Sequence, residues 1–291
     1  MATATLTADG QQPVKGSGRV LILLDGSGPS LAALQAAAEI AVTRNAEVLG
    51  IFVEEVNLLR SAGYGFAREV GGSSGLVRPL QIDVLESRTR MLAEQARCSL
   101  EQVMTSHGLV QALKLCRGRV VEEVLNLVGP EDLVVMGRVG WSGIPGARLG
   151  STARVLVRQA PGDVLLWSEP HPRRQNRVVI LLNHDQGANH RAVQVGAALA
   201  RNNHQPLTVL IRADASGDQA VTGGLLAYLQ GEGVGAAKVR WLPMGSAESV
   251  VRVIREEGAT QLVVSRQSSL LAEQGADVLL IETNLPVTVT S

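Results

Sequence analysis

The stretch Leu133 to Thr152 reads LVVMGRVGWSGIPGARLGST and carries glycines and hydroxyls at a spacing that suits a phosphate group. Leu133 to Met136 is an apolar run of strand length, and Gly137 and Gly140 follow it directly. Nine residues then lead to Gly150, Ser151 and Thr152, where a helical pattern opens that runs to Gln159. Strand, glycine loop and helix together bring bare backbone N–H groups to a helix N-terminus, where unpaired donors and partial positive charge favour an anion. Glycines let such a ligand close on the main chain. Arg138 and Arg148 flank the loop and could neutralise phosphate charge, although loop arginines are commonly just solvated. Two other phosphate loops are excluded. No GxxxxGK followed by Ser or Thr occurs, and Gly26-Ser27-Gly28 is not GxGxxG because Leu31 stands where the third glycine belongs. His184, Asp185 and His190 form a surface cluster and not a metal site, since the two histidines are six apart across a turn and a third ligand is missing.

These residues need a sheet to hold them. Arg19 to Asp25, RVLILLD, is a continuous apolar run closed by a carboxylate, as in a central parallel strand. Gly26 to Pro29 then turn the chain into a helix, with Pro29 at its first position and Leu31, Leu34, Ala38 and Val42 along one face, ending at Arg44-Asn45. Glu47 to Val53 is a second strand, so the start of the chain is a βαβ unit. The glycine-rich segment Glu54 to Pro79 breaks the rhythm and is long enough to be a functional cover or a mobile insert. A helix resumes by Leu85 and stops near His107-Gly108, Val110 to Leu115 is a strand, and Val121, Val124, Leu125 and Val128 give a helical stripe ended by Gly129-Pro130. After the glycine loop and its helix, Asp163 to Trp167 is the fifth strand.

The chain of 291 residues is 45% hydrophobic but only 2% aromatic, so its cores must be built from Val, Leu, Ile and Ala, as in helix-covered parallel sheets. Lys plus Arg and Asp plus Glu balance at 27 each, and no basic stripe interleaved with aromatics is present, which argues against nucleic acid as a partner. The two cysteines, Cys98 and Cys116, are too few for a disulfide framework and read as small core residues. Met1 to Gly18 reads as a polar tail and not a signal peptide, and no run reaches membrane-spanning length, so a cytoplasmic protein without membrane insertion is expected.

Past the polar linker His171 to Asn176 the pattern starts again. Arg177 to Asn183, RVVILLN, repeats RVLILLD; Ala192 to Arg201 matches the first helix, Leu207 to Ile211 the second strand and Lys238 to Leu242 the third. QLVVSRQ at Gln261 aligns by eye with DLVVMGR at Asp132, which sets Arg266 against Gly137 and Ser269 against Gly140. Gly275-Ala276 then stands for the Gly-Ser pair, and Asn183 for Asp25. Pro286 to Thr290 is preferred as the last strand, with Gly275 to Asn284 the helix before it. The second half thus lacks the glycines that a close phosphate needs, and its expected role is structural, covering a sheet edge or dimer face.

GxxG, nine residues, then Gly-Ser resembles the nucleotide loop of the ATP-binding universal stress proteins, and with the duplication the resemblance covers about 270 residues. It implies two tandem five-stranded parallel α/β sandwich domains of Rossmann-like, adenine nucleotide alpha hydrolase-like type, at residues 17–170 and 176–291, pairing through their last strands as an intrachain pseudo-dimer or a homodimer. It implies ATP, with or without magnesium, in the first. Asp25 and Gly26 would lie near the nucleotide, main chain near Phe52 would meet the adenine, Met136 and Gly137 would lie by the ribose, and Gly140, Gly150, Ser151 and Thr152 would take the phosphates. The leading function is a non-enzymatic stress-response regulator acting on a protein partner. An ATP-hydrolysing or nucleotide-transferring enzyme and a ligand-free scaffold stay open, since fold alone does not choose among them.

Overall fold

The computed structural model describes residues 18–71, 74–138, 149–168, 176–183, 189–212, 219–243, 246–272 and 275–291. The first half runs β1 (Val20–Leu24), α1 (Gly28–Arg44), β2 (Val48–Glu55), α2 (Val56–Ala62), β3 (Arg68–Val70), β4 (Val77–Pro79), α3 (Ile82–Ser106), β5 (Gln111–Gly118), α4 (Val120–Leu125), β6 (Leu133–Gly137), α5 (Ser151–Gln159) and β7 (Asp163–Trp167). The second runs β8 (Arg177–Asn183), α6 (His190–Asn202), β9 (Leu207–Arg212), α7 (Gln219–Gly231), β10 (Ala237–Leu242), α8 (Ala247–Glu256), β11 (Ala259–Ser265), α9 (Ser269–Ala272), α10 (Gly275–Glu282) and β12 (Val287–Thr290). The last strand and the helix before it therefore fall where the repeat requires them, while β3 and β4 make a small antiparallel hairpin inside the glycine-rich segment 54–79.

Ten strands form one sheet in the order β10-β9-β8-β11-β12-β7-β6-β1-β2-β5. Within each half the pairings of this sheet are all parallel. The halves meet where β12 pairs antiparallel with β7, Val289 opposite Val164, Thr288 opposite Leu165 and Val287 opposite Leu166. β1 is buried along its whole length because helices cover both faces: Val20, Ile22 and Leu24 point to the α1 side, Leu21 and Leu23 to the other. The Ser27 hydroxyl caps α1 by accepting from the Ser30 N–H at 3.3 Å, and Asn45, at φ +49°, ends it. Ala33, Ala37, Ala38 and Ala41 face the sheet, letting the helix lie close. Val42, expected on that face, is 50% exposed.

The pairing corrects the register of the repeat by one residue. Val20 lies opposite Leu133 in the first half, but Val178 lies opposite Gln261 in the second, where β11 is irregular between Ala259 and Gln261. A slip of one residue in a strand turns each side chain to the other face. Leu133 indeed packs on the α1 side, whereas Leu262, its counterpart by eye, packs on the opposite one. Gly137 therefore corresponds to Ser265, and Arg138 corresponds to Arg266.

On the face carrying α4, α5, α8, α9 and α10 one apolar core runs through both halves, from Leu156 and Leu166 to Leu262 and Leu279. On the face carrying α1, α3 and α6 the core is divided, with one cluster under α1 and α3 and another under α6 and α7. Asp132 is 5% exposed and tied to Arg19 at 2.7 Å, joining the starts of β1 and β6. Cys116 is buried as expected, but Cys98 lies exposed on α3. Among the described residues no helix is long and apolar enough to cross a membrane.

Candidate functional site

In the first half the strand order is β5-β2-β1-β6-β7, so the connections leave β1 and β6 in opposite directions and open a crevice between their carboxyl ends. A cavity lies there, lined from β1 by Leu23, Leu24 and Asp25, from β2 by Val53, from the start of α4 by Val120, and from β6 to α5 by Met136, Gly137, Arg138, Gly150, Ser151 and Thr152. Seven of the expected residues or their neighbours thus share one wall system: Asp25, Met136, Gly137, Arg138, Gly150, Ser151 and Thr152. Gly140 lies outside the described residues, as do Trp141, Arg148, His184, Asp185 and the first 17 residues of the chain.

Each wall has a local cause. Asp25 accepts the Ser27 N–H at 2.8 Å, which closes the turn into α1. Gly26 stands at φ +76°, a backbone conformation that favours glycine, with the end of the Leu92 side chain packed beside it. Glu55 accepts from the Val120 and Asn57 N–H groups, which holds the end of β2 to the start of α4. Gly150 donates to the Arg138 carbonyl at 3.0 Å, pinning the two ends of the glycine loop together.

Two expectations change their physical reason. A Cβ on Gly137 would lie 3.0 Å from the Pro29 side chain and 3.1 Å from its backbone, so the close approach of α1 already requires this glycine, which also lines the cavity. Phe52 is 4% exposed and packs in the cluster under α1 and α3, away from the cavity. The β2 side chain in the cavity wall is its neighbour Val53. Alternation along the strand could have found this, because Ile51 and Val53 share the face opposite Phe52.

Arg138, which the sequence sets beside the loop as an arginine that could neutralise phosphate charge, is the most distinctive member of the wall. It is 8% exposed, lines the cavity, and its guanidinium finds no hydrogen-bond or ion-pair partner among the described residues. Burial alone pushes it down to about 10. Beside it, α5 begins at Ser151 with no side-chain cap on its first N–H groups. A buried cation and an uncapped helix start converge on one cavity, and both are satisfied by an anion.

The second half differs at the same places. Arg266, the counterpart of Arg138, donates from Nε to the Val157 carbonyl and from a terminal nitrogen to the Gly162 carbonyl, each at 2.7 Å. Arg212, the counterpart of Val53, is 3% exposed and donates to Ser269 Oγ at 3.1 Å. Its guanidinium stands where the first half leaves a cavity wall.

Residues 16–167 match the sequence model of the universal stress protein family. Universal stress protein Rv1996 of Mycobacterium tuberculosis (strain ATCC 25618 / H37Rv) and universal stress protein Mb2019 of Mycobacterium bovis are each 25% identical over 168 residues, covering 57% of this chain and 53% of theirs. The chain thus matches about half the length of these curated relatives. Among solved structures, a universal stress protein from Archaeoglobus fulgidus DSM 4304 covers 94% of this chain and 96% of its own at TM-score 0.70 and 14% identity. A putative universal stress protein from Pseudomonas aeruginosa UCBPP-PA14 gives TM-score 0.57 at 14% identity, covering 94% and 92%. At these identities the likeness is one of fold.

Proposed function

Because the chain belongs to the universal stress protein family, we propose that its first half binds one adenine nucleotide, ATP with or without magnesium, and that the protein is a regulator and not an enzyme. The observation that carries this is Arg138, a buried guanidinium without a partner among the described residues, set beside the uncapped start of α5. A buried charge without a counter-ion is costly by several kcal/mol, and a phosphate group would relieve that cost. Gly140, Gly150, Ser151 and Thr152 would take the phosphates with it. Asp25 would face the ribose together with Gly26, Met136 and Gly137. Val53, Val120 and the main chain at Phe52 would bound the base. Among the described residues no group of three His, Cys, Asp or Glu side chains is placed to hold a metal. Magnesium would therefore come with the phosphates, where it neutralises their charge.

In this proposal residues 17–170 and 176–291 are two domains of an intrachain pseudo-dimer, the protein is cytoplasmic, and the bound state is passed to a protein partner. The test is calorimetric titration of the intact chain with ATP and magnesium. One site per chain is expected, without turnover of the ATP. Two equivalent sites, or none, would overturn the proposal, and steady multiple turnover would favour the hydrolytic alternative.

A further inference from the structure

A second cavity, of about 490 Å³, lies on the face where the apolar core is divided, between α1 and α6 and above the β7–β12 pair. Its size is that of a small-molecule site. Ile40, Leu133, Leu165, Val195 and Leu199 give it apolar walls. Arg44, in the last turn of α1, and Arg191, in the first turn of α6, stand at one end of it.

At that end two guanidiniums share one buried carboxylate, Asp163, while Glu39 and Glu131 lie exposed at the rim. Asp163, fully buried, takes one terminal nitrogen of Arg191 at 3.1 Å and the Ser291 N–H at 3.0 Å. Arg191 Nε is buried and has no hydrogen-bond partner among the described residues. The Arg44 guanidinium has neither a hydrogen bond nor an ion pair among the described residues. Burial lowers it from its ordinary value; Asp163 opposes that shift and Arg191 adds to it. Towards the other end, the walls include Trp167 and Gln261, whose Nε1 and Oε1 are also buried without partners. Buried polar atoms are nearly always paired, so the unpaired guanidinium donors at the arginine end call for an acceptor there.

The polarity of the groove is not imposed by the duplicated fold. Asn45 and Asn203 cap the two helices at equivalent places, so the counterparts of Arg44 and Arg191 are Asn202 and Ala33. The pseudo-symmetric end is neutral, and only one end can grip an anion. Glu39 and Glu131, exposed at the rim, disfavour a polyanion such as a nucleotide triphosphate.

We propose that this groove binds a small amphipathic monocarboxylate, its head group between Arg44 and Arg191 and its apolar body along the trough between α1 and α6. The site is separate from the nucleotide cavity, which opens at the carboxyl end of β1 on the first half alone.

Decanoate is a suitable probe, with decanamide as its uncharged counterpart, and binding to the intact chain is followed by calorimetry and by the fluorescence of Trp167 against a Trp167→Phe control. Saturable binding of decanoate is expected, with decanamide at least tenfold weaker and Arg44→Gln weakening decanoate at least tenfold while leaving ATP binding unchanged. Ala198→Phe should block the trough; a thermal melt shows whether it is folded, and Arg44→Gln tests the head group independently of it. The proposal is overturned if decanoate gives no saturable signal up to its solubility, if decanoate and decanamide bind alike, if Arg44→Gln binds like wild type, or if ATP displaces decanoate.

Discussion

Arg138 and Arg266 occupy the same place in the two halves, one residue past the strand that borders the first, and their guanidiniums meet opposite fates. Arg266 is held by two carbonyls of the other half, near the end of α5 and in the turn after it, where a cation also suits the helix dipole. Arg138 lies beside a glycine loop and keeps its donors without partners among the described residues. One arginine ties the two halves together and the other faces a cavity. A vanished site is thus better recognised by where its charge has gone than by which glycines are missing.

The strongest break of this comparison is Arg138→Gln. ATP binding should weaken roughly tenfold to hundredfold, the loss of a hydrogen bond to a charged group being about 1.5–3 kcal/mol. The unliganded protein should be no less stable, since an unpaired buried charge has been removed. Calorimetry with a parallel urea titration checks both halves of the statement, and a variant that binds ATP normally but unfolds early would make Arg138 structural.

Arg266→Ala should show the reverse. Stability falls by about 2 kcal/mol as two carbonyls lose a charged donor, while ATP affinity stays within twofold of wild type. Loss of ATP binding at unchanged stability would erase the contrast between the halves.

Gly137→Ala gives a smaller effect, about 1 kcal/mol of destabilisation, because the added Cβ must displace Pro29 from 3.0 Å. Its counterpart in the second half, Ser265, already carries a Cβ. If the alanine instead abolished nucleotide binding with the fold unchanged, this glycine would belong to the ligand after all.

The smallest effect is in the pH dependence, and it should be shared by the halves. Burial would raise the Asp132 carboxyl, but hydrogen bonds from Arg19 and the Gly129 N–H outweigh it and hold it below the ordinary range. For Glu257 burial is likewise outweighed, by Lys238, Arg240 and Thr208. A carboxyl with a depressed folded pKa contributes fully above its unfolded value, about 3.9 for Asp and 4.3 for Glu, and loses that contribution as pH falls through the folded value. Asp132→Asn and Glu257→Gln should each lower the urea midpoint at pH 6, with the difference from wild type shrinking towards pH 3. A difference that grew on acidification would reverse the sign argued here.

Much of the fold was legible because its signals are local. Asp163–Trp167 and Arg177–Asn183 agree with the sequence at both ends, since unbroken runs of Val, Leu and Ile flanked by polar residues have few other solutions. The register of β11 was not legible: QLVVSRQ and DLVVMGR align best by eye one residue away from where the irregularity at Ala259 to Gln261 puts them. The cavity wall was legible in Asp25, Met136 and Gly150 to Thr152, whose types and spacing follow the strand–loop–helix pattern. Arg138 was legible only as a loop arginine that could neutralise phosphate or stay solvated, because its burial is a tertiary property. Main chain near Phe52 was expected to meet the base, and the alternation of β2 adds that Val53, and not Phe52, turns its side chain to the cavity. The α1–α6 groove has no local signal, being a property of two helices that lie more than a hundred residues apart in the chain.

The antiparallel β7–β12 pair has a consequence for behaviour at low abundance. Both strands belong to one polypeptide, so their pairing is an intramolecular event whose effective concentration is set by the covalent connection and not by how much protein is present. Two separate chains joined edge to edge in this way would come apart on sufficient dilution; here the ten-stranded sheet persists at any copy number. Freed from having to recruit an identical partner, the second half could replace a glycine loop with a clamp while the first kept its cavity, which a symmetric pair of identical chains could not do.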